Sequence, residues 1–389
     1  MAVWVASGEP SFPGCGCVQH GQRHVASGYK SNLPFFFFCI TLEPALGNMP
    51  KRGINEERQA KIKRIRFLGG STLPVHVDAC LGEKSLYLKA LEDVKGCGYE
   101  DVVQGAAVFV SQLPGTPGFV AAPMGGAERN QYLKEHKRDF RPLDDAEYER
   151  VKPLLCYIPV EAGSVVLWCS TLPHANCGIF KTDLPVATMV ADGCTTGPRQ
   201  VSVYTADCHA AIRAALTRDG VVVVRDCIAK TTVEELKAEY MQWARSCNPR
   251  PEKYPPPGSL GTGIVKCYGA AVCTASQRVR SLTCSIFRNL YGRHDVWTSV
   301  DAPAMVFSKE PGEFIRLCQF VCMLPRPDGD VMGVVQQKIR LFAEGKSSTH
   351  YPNFVKTAGP GHMSNPRSGE RRWETSIDTC DYTTQLDLL

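Results

Sequence analysis

Between residues 102 and 204 the chain breaks into short apolar runs, each closed by glycine or proline. Val102-Val-Gln104-Gly-Ala-Ala-Val-Phe-Val110 is followed by the turn Leu113-Pro-Gly-Thr-Pro-Gly118 and by Phe119-Val-Ala-Ala-Pro-Met-Gly-Gly126. Ile158-Pro-Val-Glu-Ala-Gly163 and Ser164-Val-Val-Leu-Trp-Cys-Ser170 repeat the pattern. Short apolar strands separated by turn residues are how a sandwich or barrel reads. The expected class is therefore mainly β with flanking helices.

Two clusters of chemistry-bearing residues flank these runs. Leu73-Pro-Val-His76-Val-Asp78-Ala-Cys80 comes before them, and Thr171-Leu-Pro-His174-Ala-Asn176-Cys-Gly178 follows the Ser164 run. On a strand, His76 and Asp78 stand two positions apart and project from the same face. With His174 arriving from a distant strand they make two imidazoles and one carboxylate. That set leaves coordination positions open, as in the facial triad of non-haem Fe(II) oxygenases. An H-x-D pair alone is a weak signal, since the two residues also fall together by chance on a solvated strand. Gln104 and Trp168 are candidate lining residues, and Asn176 is a candidate support for His174. For Trp168 an ordinary core role, and for Asn176 a turn role, explain the residue as well.

Taken in order, His76-Val-Asp78, Gln104-Gly105, Gly118-Phe-Val-Ala-Ala-Pro123, Ala162-Gly-Ser-Val-Val-Leu-Trp168 and His174-Ala-Asn-Cys-Gly178 resemble the phytanoyl-CoA dioxygenase type of Fe(II)- and 2-oxoglutarate-dependent dioxygenase. The match covers residues 70–204. It implies a double-stranded β-helix, a cupin-like jelly roll, with Fe(II) held by His76, Asp78 and His174. It also implies a basic residue beyond the distal histidine that pairs with the far carboxylate of 2-oxoglutarate. Arg199, in Gly197-Pro-Arg-Gln-Val-Ser-Val-Tyr204, matches best, because a guanidinium grips a carboxylate through two parallel hydrogen bonds. It lies 25 positions past His174, further than the family spacing, so Lys181 remains the other candidate.

The second half poses a puzzle of order. Arg218-Asp-Gly-Val-Val-Val-Val-Arg-Asp226, Gly261-Thr-Gly-Ile-Val-Lys-Cys-Tyr-Gly269 and Arg288-Asn-Leu-Tyr-Gly-Arg-His-Asp-Val-Trp297 resemble the beginning of the same family, yet follow its end. Either the order is permuted and 205–310 packs on the core in cis, or the chain holds the rear of one tandem unit and the front of the next. The cis reading puts Phe307 near Ser71, and a domain-swapped dimer would satisfy the same contacts. The expected divisions are an irregular extension over 1–53, the metal-bearing core over 54–204, a helix, strand, helix region over 205–310, and a C-terminal extension over 311–389 with a loose tail. Within them, helices are expected over 127–139 and 144–151, and over 208–216 capped by Asp207. A capping box at Thr232 and Glu235 is expected to open another helix, with Val233, Leu236, Tyr240 and Trp243 on its packing face. Phe314–Leu324 fits a buried helix or strand equally, and 334–343 a helix.

The composition of 389 residues, 44% apolar and 21% charged, describes a soluble globular protein. The net charge of +5 is matched by the run 51–66, with seven basic and two acidic side chains. Such a run is more often a solvated face than a nucleic-acid contact. Eighteen cysteines show no recurring C-x-x-C pair at a zinc-site interval. Reduced thiols and the lack of a recognisable leader point to an intracellular, cytoplasmic setting. Phe35–Leu42 is too short to span a bilayer.

The function these observations imply is a 2-oxoglutarate-dependent hydroxylase acting on a small molecule, with O2 consumed and succinate and CO2 released. The competing class is an inactive jelly-roll relative serving as an interaction module; a nucleic-acid-associated protein using the basic run is a third. Substrate and oligomeric state are not legible.

Overall fold

The short apolar runs pair into two sheets. In the computed structural model the described residues are 75–82, 85–136, 139–177, 184–191, 199–246, 273–299, 301, 303–307, 313–326, 333 and 336–337. The elements in chain order begin β1 (His76–Val77), α1 (Leu86–Lys95), β2 (Val103–Val108), β3 (Gly118–Ala121), α2 (Gly126–Arg129), β4 (Arg141–Pro142), α3 (Asp145–Val151), β5 (Cys156–Ile158), β6 (Val165–Cys169) and β7 (His174–Cys177). They continue with β8 (Thr188–Ala191), β9 (Gln200–Thr205), α4 (His209–Asp219), β10 (Val221–Arg225), α5 (Lys230–Ser246), α6 (Thr274–Tyr291), β11 (Val296–Thr298), β12 (Pro303–Phe307) and β13 (Phe314–Pro325). The smaller sheet runs β4-β1-β7-β3-β5, all antiparallel. The larger runs β11-β13-β2-β6-β10-β9-β8, with β12 also on β13. The fold is mainly β, with two facing sheets and helices on one side.

Strand alternation divides the core in two. On β2, Ala106 and Val108 join Val166, Trp168, Phe119, Ala121 and Ile158 in a cluster drawn from both sheets. Val103 and Ala107 turn the other way, to meet Tyr87, Val279, Phe287 and Leu290 from the helices. Side chains at successive positions point to opposite faces, so one strand serves both cores. Complete burial of a residue such as Leu167 or Phe287 contributes roughly 1.5–3 kcal/mol. α5 buries Val233, Leu236 and Tyr240, the face its helical spacing predicts.

The halves of the chain share one sheet. β10 pairs antiparallel with β6, from Val221 opposite Trp168 to Val224 opposite Val165, and parallel with β9. The stretch from 311 onward is not simply an extension. β13, 12 residues long, lies inside the larger sheet, hydrogen-bonded to β2. Its mostly apolar run, interrupted only by Arg316 and Gln319, carries no clear period to separate strand from helix. The register supplies what the run lacks: Gly105, Ala106 and Ala107 of β2 face Val321, Phe320 and Gln319, small residues admitting larger ones.

Several local expectations shift. The 127–139 insertion is helical only through α2 and one turn of 3-10 helix at Asn130–Tyr132. Beyond it Asp139 turns inward and its carboxylate accepts hydrogen bonds from Ser85 Oγ and from the backbone N–H groups of Leu86 and Tyr87. This distant acid neutralises the open donors at the start of α1. α3 forms where expected, with Asp144 and Glu147 closing a capping box. Cys208, not Asp207, precedes α4; Asp207 accepts the Thr205 hydroxyl instead. Thr232 lies inside α5, which begins at Lys230. The expectations for residues 1–66, Ser71, Lys181, 261–269, 338–343 and the 345–389 tail fall outside the described residues.

No helix among the described residues is long and apolar enough to cross a membrane. The ten cysteines described there are free thiols.

Candidate metal centre

Register brings the three predicted ligands together. β1 and β7 are antiparallel neighbours in which His76 and His174 are direct cross-strand partners. Such partners project from one face with Cβ atoms about 5 Å apart. Asp78, two positions beyond His76, stays on that face because its N–H bonds to the Ser170 carbonyl at 2.9 Å. The imidazole centroids lie 4.3 Å apart. Nε2 of His174 is 3.3 Å from one Asp78 oxygen, and Nε2 of His76 is 3.7 Å from the other. One ligand atom from each residue fits within a 4.8 Å span. Ligands at right angles around a first-row ion, each about 2.1 Å from it, stand roughly 3 Å apart. The trio therefore needs only a small contraction to share an ion.

The surroundings favour that use. His76 and His174 are buried, and Asp78 is the more open member, with its side chain 14% exposed. His174 Nδ1 lies 2.8 Å from the Leu172 carbonyl. That contact favours a proton on Nδ1 and leaves the Nε2 lone pair for a metal. Gln104 donates from Nε2 to Asp78 at 3.2 Å and to Ser170 Oγ at 2.9 Å. Aromatic rings wall the site: Phe140 lies 4.3 Å from His76, while Trp168 and Phe119 lie 5.5 and 5.6 Å from His174, centroid to centroid. Trp168 is core, as its apolar strand suggests, and it also touches a ligand. Imidazole and carboxylate donors suit a first-row divalent ion such as Fe(II) better than they suit a soft thiolate-preferring one. The group can hold a metal.

Comparison of the chain with protein-family models, curated proteins and solved structures finds no match. The site therefore rests on its own chemistry.

Arg199 is not part of it. Its guanidinium donates to the Pro153 carbonyl, at 3.1 Å from Nε and 2.5 Å from Nη2. The residue immediately precedes β9, towards the far end of the larger sheet. The pairing of β9 with β8 and β10 puts it in the sheet opposite the one that carries the trio. The sequence reading passed over Arg316 on β13. Its Nη2 donates to Asn176 Oδ1 at 2.6 Å, across the gap between the sheets. Arg316 is 5% exposed, its Nε is buried with no partner, and among the described residues it forms no ion pair. Asn176, expected beside His174, is the partner of Arg316. The one available signal was an arginine at the head of an apolar run.

A second buried acid lies behind the ligands. Asp101 faces Arg129 Nε at 3.7 Å and accepts hydrogen bonds from Tyr87 Oη, the Val102 N–H and the Thr171 hydroxyl. Burial holds its carboxyl above the ordinary range, opposed first by Arg129 and then by the Thr171 bond.

Proposed function

We propose that this chain is an Fe(II)- and 2-oxoglutarate-dependent oxygenase on a jelly-roll framework, hydroxylating a small molecule. The observation that carries the reading is the convergence of His76, Asp78 and His174, with a buried arginine nearby that has no acid partner among the described residues. Strand order supports the framework. The chain passes from β1 in one sheet to β2 in the other, back to β3 and β5, across to β6 and back to β7, the winding of a double-stranded β-helix.

His76, Asp78 and His174 would hold the metal, with Gln104 and the Leu172 carbonyl fixing the orientation of two of them. When bound, Fe(II) supplies O2 activation coupled to decarboxylation of the 2-oxo acid, giving succinate, CO2 and a hydroxylated product. Arg316 takes the role first assigned to Arg199. An unpaired buried cation is costly, and an incoming carboxylate would relieve that cost through two charge-assisted hydrogen bonds. Asn176, its partner, follows His174 by two strand positions, roughly 6.6 Å along β7. A five-carbon diacid spans about 6 Å at ordinary bond lengths, a length comparable with that separation. Phe119, Phe140 and Trp168 exclude water from the reacting side.

The test is succinate formation from 2-oxoglutarate in air. Wild type with added Fe(II) is expected to produce it, chelation to stop it, and His174→Ala and Arg316→Ala each to lower it at least tenfold. Production that persists unchanged in His174→Ala, or never occurs with Fe(II), overturns the reading.

A further inference from the structure

The candidate ligands come from two distant places in the chain, yet a single turn touches a ligand from each. Residues 170–173 join β6 to β7. The Ser170 carbonyl accepts the Asp78 N–H at 2.9 Å. The Ser170 hydroxyl lies 2.9 Å from Gln104 Nε2, which also donates to Asp78. The Leu172 carbonyl is the partner of His174 Nδ1 at 2.8 Å. Through Asp78 the turn also governs the carboxylate that His76 faces.

Thr171, in the middle, points away from the ligands. Its hydroxyl donates to Asp101 and receives Arg129 Nε at 3.2 Å. Arg129 in turn donates from Nη1 to the Met124 carbonyl at 2.8 Å. The packing there leaves no slack. Gly220 has φ +71°, and a Cβ on it would stand 2.8 Å from Arg129 Cδ and 3.0 Å from Leu172 Cδ1. Thr171, Ser170 and Asp101 are at most 6% exposed. A fully satisfied buried network of this kind is rigid, and groups that orient metal ligands tune affinity strongly.

We propose that Thr171 is a positioning residue for the metal centre: clamped by Asp101 and Arg129, it holds the 170–172 turn in the one conformation that presents Asp78 and His174 to a common ion. The inference rests on the metal reading above, and it predicts that the Thr171 hydroxyl matters to ligand geometry and not only to folding.

The experiment is titration of the full chain with Co(II) alone, following the visible absorption bands of the bound ion, alongside thermal melts. Thr171→Val should weaken Co(II) binding about tenfold or more and alter the band pattern, while Thr171→Ser, which keeps the hydroxyl, should restore both. Tyr240→Phe is the control for stability loss. It removes a buried hydroxyl bonded to Ser276 Oγ and Gln319 Oε1 in the helix-side core, so Co(II) binding should not change. If Thr171→Val does not fold, Thr171→Ala removes the hydroxyl without adding bulk and carries the same comparison. Wild-type affinity and bands in a folded, hydroxyl-less variant would overturn this inference alone. Failure of wild type to bind Co(II) would overturn it together with the metal reading.

Discussion

Two buried arginines on opposite sides of the site are treated very differently by their surroundings. Arg141, on β4, meets Glu147 with Nη1 at 2.7 Å and Nη2 at 3.2 Å and also donates to the Tyr132 carbonyl. Lys134 adds a contact to the same carboxylate at 2.9 Å. Arg316, as deeply buried, meets one neutral amide and, among the described residues, no acid, while the Nε of each arginine is buried without a partner. The first arrangement matches the cation with a carboxylate and ties β4 to α3. The second offers, among the described residues, a neutral partner only. A buried cation that meets only a neutral amide points to a ligand, whereas one paired with a carboxylate points to architecture.

The comparison can be broken most forcefully at the paired arginine. Glu147→Ala strands Arg141 in the interior and should cost about 3–5 kcal/mol, read by chemical denaturation. Acid should act on the same clamp. Burial raises the Glu147 carboxyl, but hydrogen bonds from Arg141 and Lys134 outweigh it, so its folded value is lowered. Its contribution is then present above the ordinary carboxylate range and is lost as pH falls through that lowered value. At the unpaired arginine the sign should reverse. Arg316→Met is expected to be neutral or stabilising by roughly 1 kcal/mol without ligand. It should also abolish the stabilisation that 2-oxoglutarate and a divalent ion give wild type, about 2.7 kcal/mol at a hundredfold excess over the dissociation constant. Thermal melts with and without the two ligands measure both effects. A strongly destabilised Arg316→Met would mean that the guanidinium is structural after all. The smallest effect is expected at Arg199, where replacement by Ala should stay within about 0.5 kcal/mol and leave the ligand response intact.

Much of the centre was legible because its information is local. His76 and Asp78 share a strand face by spacing alone, and the punctuated apolar runs announce the strands that align them with His174. The rest depends on pairings made over long distances. Arg316 lies near the start of a mostly apolar stretch that suits helix or strand, and nothing within it indicates that β2 would be its neighbour. Arg199 had the expected residue type just before a well-formed strand, but β9 pairs with β8 and β10, towards the far end of the larger sheet. Thr171 was invisible for a different reason: its importance comes from Asp101 and Arg129, one seventy positions before it and the other some forty.

The placement of β13 has a consequence for how the molecule is made. Cys318 pairs with Val108, roughly two hundred positions apart, in the middle of the larger sheet. During synthesis β2 must wait with one edge open until the chain has emerged as far as Pro325, and an open edge invites pairing with other chains. Contacts this remote in sequence also make for slow closure. Since Arg316 arrives on that same late strand, the anion pocket would be the last part of the interior to form, and a nascent or shortened chain could assemble the histidines while still lacking it.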